Sequence, residues 1–234
     1  MRRRWVKILA ITVAVLAVLF TAADRIAVHY ADNEAAQLAK SKYDFTNATM
    51  DVSIEGFPFL TQAANGTFDH VSLTARQFYL STTGNRQGGW LDINRLHLDL
   101  QDVTVTSLTA RSAQANLATG TMTLTYKDLS DLVTRLAGRG GKLQASPAEG
   151  PDGQAAQFKV TGTAEGATLN STATLLAQGN ELSLTVPGAE RATAAWKISL
   201  PENIGFTAAR ATPDGVEISL TGHQVTLGAS RFSR

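Results

Sequence analysis

Hydrophobic and polar positions along the chain follow three successive rhythms. Residues 8–23 (ILAITVAVLAVLFTAA) are apolar throughout except Thr12 and Thr21. Over residues 24–40, Ile26, Ala27, Tyr30, Ala31, Ala35 and Leu38 recur at helical spacing, which predicts a helix continuing from the apolar run. Glu34 projects into the middle of that stripe, where a plain core helix would place no charge. From Met50 the period drops to two, and strands are predicted at 50–54, 70–75, 91–100, 102–110, 121–126, 157–164, 167–177, 181–186, 196–200 and 215–227. Their polar positions are mostly Thr and Ser, which suit a half-solvated pleated surface.

Turn chemistry separates these runs at Asn65-Gly66, Gly88-Gly89, Gly179-Asn180 and Pro213-Asp214-Gly215. One helix interrupts them. Over residues 127–137, Leu129, Leu132, Val133 and Leu136 fall at i, i+3, i+4 and i+7, with Asp128 as the expected N-cap. Residues 145–157 (ASPAEGPDGQAAQ) read as an exposed loop, after which the Thr-rich alternation resumes. One antiparallel sheet with two helices is the simplest architecture, an α+β fold. A sheet of about ten strands curls, splits or closes. Small residues expected to face inward (Ala75, Ala110, Ala115, Gly162, Ala173, Gly222) would leave room inside a strongly curled sheet, although a packed sandwich gives the same alternation.

The stretch IEGFPFLTQ, residues 54–62, breaks this rhythm. Gly56 and Pro58 interrupt a strand, and Phe57, Phe59 and Leu60 follow with little polar between them. Pro58 lacks an N–H and fixes its own φ, so the segment reads as an extended apolar rim or as the plug of a core.

Charge changes the picture at the N-terminus. Arg2, Arg3, Arg4 and Lys7 precede the apolar run, which predicts a cytoplasmic N-terminus and an exported body. The run itself suits a signal peptide or an N-terminal membrane anchor over residues 1–23, leaving 24–234 as a single domain. Those four residues also hide the charge of the remainder: 17 of the 21 Lys and Arg stand against 20 Asp and Glu, a net of about −3. Without a basic run or aromatic-basic interleaving, nucleic-acid binding is not expected.

Candidate catalytic chemistry is sparse. With no cysteine, the chain has no disulfide, thiol nucleophile or Cys-based zinc site, and no lipoprotein cysteine. It lacks a Gly-x-Ser-x-Gly elbow, a His-Glu-x-x-His pair, a P-loop and a dinucleotide fingerprint. His29, His70, His97 and His223 are scattered, and His97 alternates with Arg95 and Asp99 on the polar side of its strand. No enzyme activity, metal or cofactor is expected.

Residues 23–40, 51–75 and 212–227, supported by TMTLTYKDLSDLV at 121–133, together resemble the LmeA-like phospholipid-binding proteins of the actinobacterial cell envelope. The resemblance covers essentially everything after residue 22, and its most specific part is IEGFPFLTQ followed by Gly66-x-Phe68-Asp69-His70-Val71. Asp32 stands where Glu is common in that family. The resemblance implies a fold like the tubular lipid-binding (TULIP) proteins, a long curled antiparallel sheet wrapped around helices with an elongated apolar groove. It also implies binding of phospholipid in a periplasm-like envelope space, with transport, sensing and storage all open as its purpose. It supplies no catalytic motif, so the expected lipid contacts are placed on this chain's own residues: Tyr30, Glu34, Ile54, Phe57, Pro58, Phe59, Leu60, Phe68, Leu129, Leu132, Val133 and Leu136. The expected partners are phospholipid and, through the N-terminal segment, a membrane. The competing reading is an envelope scaffold or assembly factor that uses its sheet to bind a protein partner.

Overall fold

The computed structural model describes residues 2–42, 49–81, 90–107, 112–138, 140–148, 153–164, 166–198 and 200–227. The first element is a single helix, α1 (Arg2–Lys42), so the apolar run and the amphipathic stretch after it form one rod, about 60 Å long at 1.5 Å per residue. It is followed by β1 (Thr49–Glu55), a short helix α2 (Phe59–Asn65), and the long strands β2 (Thr67–Ser81), β3 (Trp90–Ser107) and β4 (Ser112–Thr125). Helix α3 (Tyr126–Ala137) then leads into β5 (Lys142–Pro147), β6 (Ala155–Ala164), β7 (Ala167–Gln178), β8 (Glu181–Thr185) and β9 (Ala194–Lys197). The chain returns through β10 (Ile204–Thr212) and β11 (Gly215–Leu227).

Two antiparallel sheets result, in place of the one curled sheet around two helices that the sequence predicts. The first has six strands in the order β1-β2-β3-β4-β11-β10, the second five in the order β5-β6-β7-β8-β9, and neither is strongly curled. The split has a local cause. Thr125 ends β4 and caps α3, its hydroxyl accepting the Asp128 N–H at 3.2 Å while Asp128 Oδ2 accepts the Thr125 N–H at 3.0 Å. The N-cap is therefore Thr125, and Asp128 is the third residue of the helix. Helix α3 then seals the edge of β5: Thr134 Oγ1 accepts the Leu143 N–H and donates to its carbonyl, both at 3.0 Å, and Ser130 Oγ accepts the Ala145 N–H at 2.8 Å. A strand edge occupied in this way cannot extend the first sheet. The two sheets meet instead along β10, through isolated bridges at Gly153–Ala209 and Gly179–Phe206.

Other boundaries also differ. The expected loop at 145–157 contains the end of β5 and the start of β6, and residues 149–152 of it lie outside the described residues. The runs at 91–100 and 102–110 join in one strand, β3, as far as Ser107; Ala110 lies outside the described residues. Strands β5 and β10 and helix α2 had no clear alternation or length to reveal them.

One core cluster fills the space between the sheets, under α3. It holds Leu129, Leu132, Val133 and Leu136 with Phe78, Leu91, Ile93, Phe158, Leu182, Leu184 and Trp196. A second, smaller cluster of Leu100, Val103, Ala115, Ala118 and Val225 lies toward the other end of the first sheet. Small residues in this sheet permit close approach and do not leave a hollow. Ala75, Ala115 and Ala118 are fully buried, and a Cβ on Gly120 would run into Leu98 Cδ2 and the His97 carbonyl oxygen. The same holds for Gly222, against the Asn203 carbonyl oxygen.

Candidate functional site

Register places one apolar face across the first sheet. Met50, Val52 and Ile54 of β1 stand opposite Ala75, Leu73 and Val71 of β2, which in turn face Leu96, Leu98 and Leu100 of β3. The face continues through Met122, Gly120 and Ala118 of β4 to Ile218, Leu220 and Gly222 of β11. At one end α3 and the second sheet cover it. Between that cover and α2, the side chains of Val52, Ile54, Val71, Leu73, Leu96 and Leu98 are only half-buried. A contiguous strip of branched aliphatic side chains is thus left partly open on the described surface.

Helix α2 closes the other end of the strip. Gly56 takes φ +109°, a conformation open to glycine and strained for other residues, and a Cβ there would also strike the Gln62 amide. The Gln62 Oε1 accepts the Asp69 N–H at 2.9 Å, tying α2 to the start of β2. Pro58 is extended (φ −80°, ψ 132°) and its peptide bond with Phe57 is cis. Phe59 and Leu60 do not prolong an extended rim, because they begin α2, which ends at Gly66 in the left-handed region. The two phenylalanines around the proline therefore diverge. Phe59 is buried, 7% exposed, and stacks on Phe68 with ring centroids 5.9 Å apart, while Phe57 is 56% exposed with the Arg25 guanidinium 5.5 Å from its ring centre.

Two carboxylates on α1 hold this corner together. Asp24, 0% exposed, accepts the Leu60 N–H through Oδ1 at 2.8 Å, and its Oδ2 has no partner among the described residues. Eight residues further on, Asp32 Oδ1 accepts the Ile54 N–H at 2.8 Å, satisfying a donor on the free edge of β1. Ala27, Ala31 and Ala35 sit among them, small enough to bring the helix close to the strand. Asp24→Ala is expected to lower stability by about 1–2 kcal/mol, as for other lost helix caps, whereas Asp24→Asn keeps an acceptor and most of that stability. Thermal melts of the two variants check this.

The structure thus brings together Ile54, Phe57, Pro58, Phe59, Leu60 and Phe68. Tyr30 (74% exposed) and the exposed Glu34 lie on α1 outside its docked side, which is Asp24, Val28, Ala31, Asp32 and Ala35. Ile26, expected on the apolar stripe, is also exposed, and the Leu38 side chain lies outside the described residues. Leu129, Leu132, Val133 and Leu136 are buried in the main core, against which Leu73 and Leu96 of the open strip also pack. Sequence reasoning missed Val52, Val71, Leu73, Leu96 and Leu98 as candidates, although their alternation is plain, and it missed Asp24 and Asp32 as clamps.

The opposite face of the same sheet is polar. Asp99 receives His70 Nε2 at 3.0 Å and His97 Nε2 at 3.2 Å, Thr74 Oγ1 lies 3.0 Å from His97 Nδ1, and Glu55 is 3.6 Å from His70 Nδ1. This network spans β1, β2 and β3 on the solvated side. Among the described residues, no group of three or more His, Asp or Glu side chains is arranged to hold a metal ion. Burial pushes the Tyr126 hydroxyl above its ordinary pKa, and it donates to the Thr212 carbonyl at 2.9 Å, locking α3 to the β10–β11 turn.

A family model described as LmeA-like phospholipid-binding matches residues 22–221. No curated protein and no solved structure matches the chain.

Proposed function

Because the chain belongs to the LmeA-like phospholipid-binding family, we propose that it binds phospholipid without catalysis, the acyl chains lying against the open strip of the first sheet. The observation that carries this reading is the half-buried run Val52, Ile54, Val71, Leu73, Leu96 and Leu98, bounded by α2 at one end and by the main core at the other. In this reading the half-buried Leu60 and Phe68 form the rim over which a chain enters, with Phe59 packed beneath Phe68. The strip then takes the place of the apolar groove that the family resemblance implies.

Physical chemistry makes such a site sufficient. Each acyl CH₂ exposed to water costs ~0.8 kcal/mol, so a sixteen-carbon chain costs roughly 12 kcal/mol when stripped of apolar cover. An aliphatic strip replaces the bilayer as solvent, leaving exchange between them nearly balanced. Binding and transfer then require no nucleophile, acid or metal.

An N-terminal apolar helix is compatible with a signal or an anchor, and Thr12–Gln37 is long and apolar enough to cross a membrane. We favour an anchor in the cell envelope, since the helix runs unbroken from the apolar stretch into the part clamped by Asp24 and Asp32. Residues 12–23 are exposed, so removing residues 1–23 takes no described side chain from the core. Solvent extraction and mass spectrometry of the purified 24–234 body are expected to find about one phospholipid per chain. Consistently empty protein would count against the reading and favour the scaffold.

A further inference from the structure

We propose that α2 and the turn before it, Gly56–Leu60, form a second attachment to the bilayer, seated in its interface beside α1. The open strip of the first sheet then lies directly behind α2, with its α2 end at the lipid leaflet. What the strip holds rests on the phospholipid-binding reading; the seating itself rests on how α1 is docked.

Four observations converge. First, Val13, Val15, Leu16, Val18, Leu19 and Phe20 of α1 are exposed, a continuous apolar surface on a helix long and apolar enough to cross a bilayer. Second, docking begins where that surface ends: after the exposed residues 12–23, Asp24 is buried, and the N–H it accepts belongs to Leu60. The backbone of α2 therefore lies level with the residue that follows the apolar run. Third, the Asp32–Ile54 bond lies about 12 Å further down the helix axis, eight residues at 1.5 Å each. As α1 leaves the membrane, β1 runs back toward it, so of the two ends of the first sheet it is the α2 end that meets lipid and the α3 end that points away.

Fourth, the side chains at that end have interface chemistry. Phe57 is exposed with the Arg25 guanidinium over its ring, an aromatic for the acyl boundary and a cation that meets lipid phosphate at the same depth. The position of Asp24 fits as well. A carboxylate facing lipid is costly, and here it is wholly buried, with α2 donating to it. The apolar run tolerates an acid at its end because α2 sits over that acid, which obliges α2 to share the same depth.

The chain contains no cysteine, so single cysteines report one position each. Phe57→Cys and Tyr79→Cys suit the test: both side chains are 56% exposed, and they stand at opposite ends of the sheet. Position 79 is eleven residues along β2 from Phe68, about 35 Å of extended chain. Each full-length variant carries a nitroxide label in vesicles of phosphatidylcholine and phosphatidylglycerol. Relaxation is measured with oxygen, which concentrates in lipid, and with a water-soluble nickel complex. The proposal expects the label at 57 to favour oxygen over nickel at least fivefold more than the label at 79, with unchanged thermal melts.

Equal, aqueous behaviour at 57 and 79 would overturn the seating. A label at 57 shielded from both reagents would overturn it as well, by identifying a protein contact. An aqueous 57 in protein whose 24–234 body still carries phospholipid defeats the seating alone. A lipid-immersed 57 beside an empty body upholds the seating and defeats the binding reading.

Discussion

Leu129→Ala is expected to destabilise the protein by about 3 kcal/mol and to leave lipid occupancy of the folded fraction unchanged. Leu129 is fully buried under α3, among Leu132, Val133 and the core of both sheets. Truncating such a leucine loses the transfer energy of the removed carbons and leaves a cavity that packed neighbours close only in part. For a body of this size the melting temperature falls by roughly 6–12 °C. The helical stripe of α3 is conspicuous in sequence, which made it a candidate for lipid contact. Its burial assigns it to stability, and the separation of melting temperature from lipid occupancy distinguishes the two roles.

The opposite pattern is expected when Leu73 and Leu98 are both changed to Gln. They are direct cross-strand partners and half-buried in the open strip. In the free protein their new amides reach water, so the stability cost stays within about 1–2 kcal/mol. Under a bound acyl chain the amides lose that water, and each unsatisfied polar group costs about 1–3 kcal/mol. Together they are expected to lower bound phospholipid at least tenfold, read as lipid per folded chain after extraction. Occupancy equal to that of the parent protein would remove the strip from the account.

The sequence showed the continuous helix, most strands and α3 because each has a period of its own. Alternation from Met50 to Ile54 and from Leu91 to Leu100 is enough to assign a face to each strand. The division into two sheets was hidden, since it depends on the hydroxyls of Ser130 and Thr134 reaching the backbone of β5, which has no signature at sequence level. Helix α2 was hidden by its length: seven residues offer too few turns to show a helical period, and the Gly and Pro before it read as loop. IEGFPFLTQ breaks the strand rhythm in sequence, but nothing in the sequence tells its phenylalanines apart. Which of them turns inward depends on Phe68, supplied by the next strand, and on Arg25, from a helix more than thirty residues earlier.

The site was legible only in outline for the same reason. Tyr30 and Glu34 belong to a helical stripe, yet the docked side of α1 is fixed by Asp24 and Asp32, whose partners are backbone N–H groups. The open strip is defined by where α2, α3 and the second sheet stop covering a face that is apolar throughout. No local pattern records where cover ends.

The central claim is that acyl chains lie on the strip, and covalent capture tests it most directly. The full-length protein is reconstituted in vesicles containing a phospholipid with a photoactivatable group midway along one acyl chain, illuminated, digested and mapped by mass spectrometry. Adducts are expected on Ile54, Leu73, Leu98 and Phe68 in addition to those on the apolar half of α1. Adducts confined to α1, with the strip unlabelled, would contradict it.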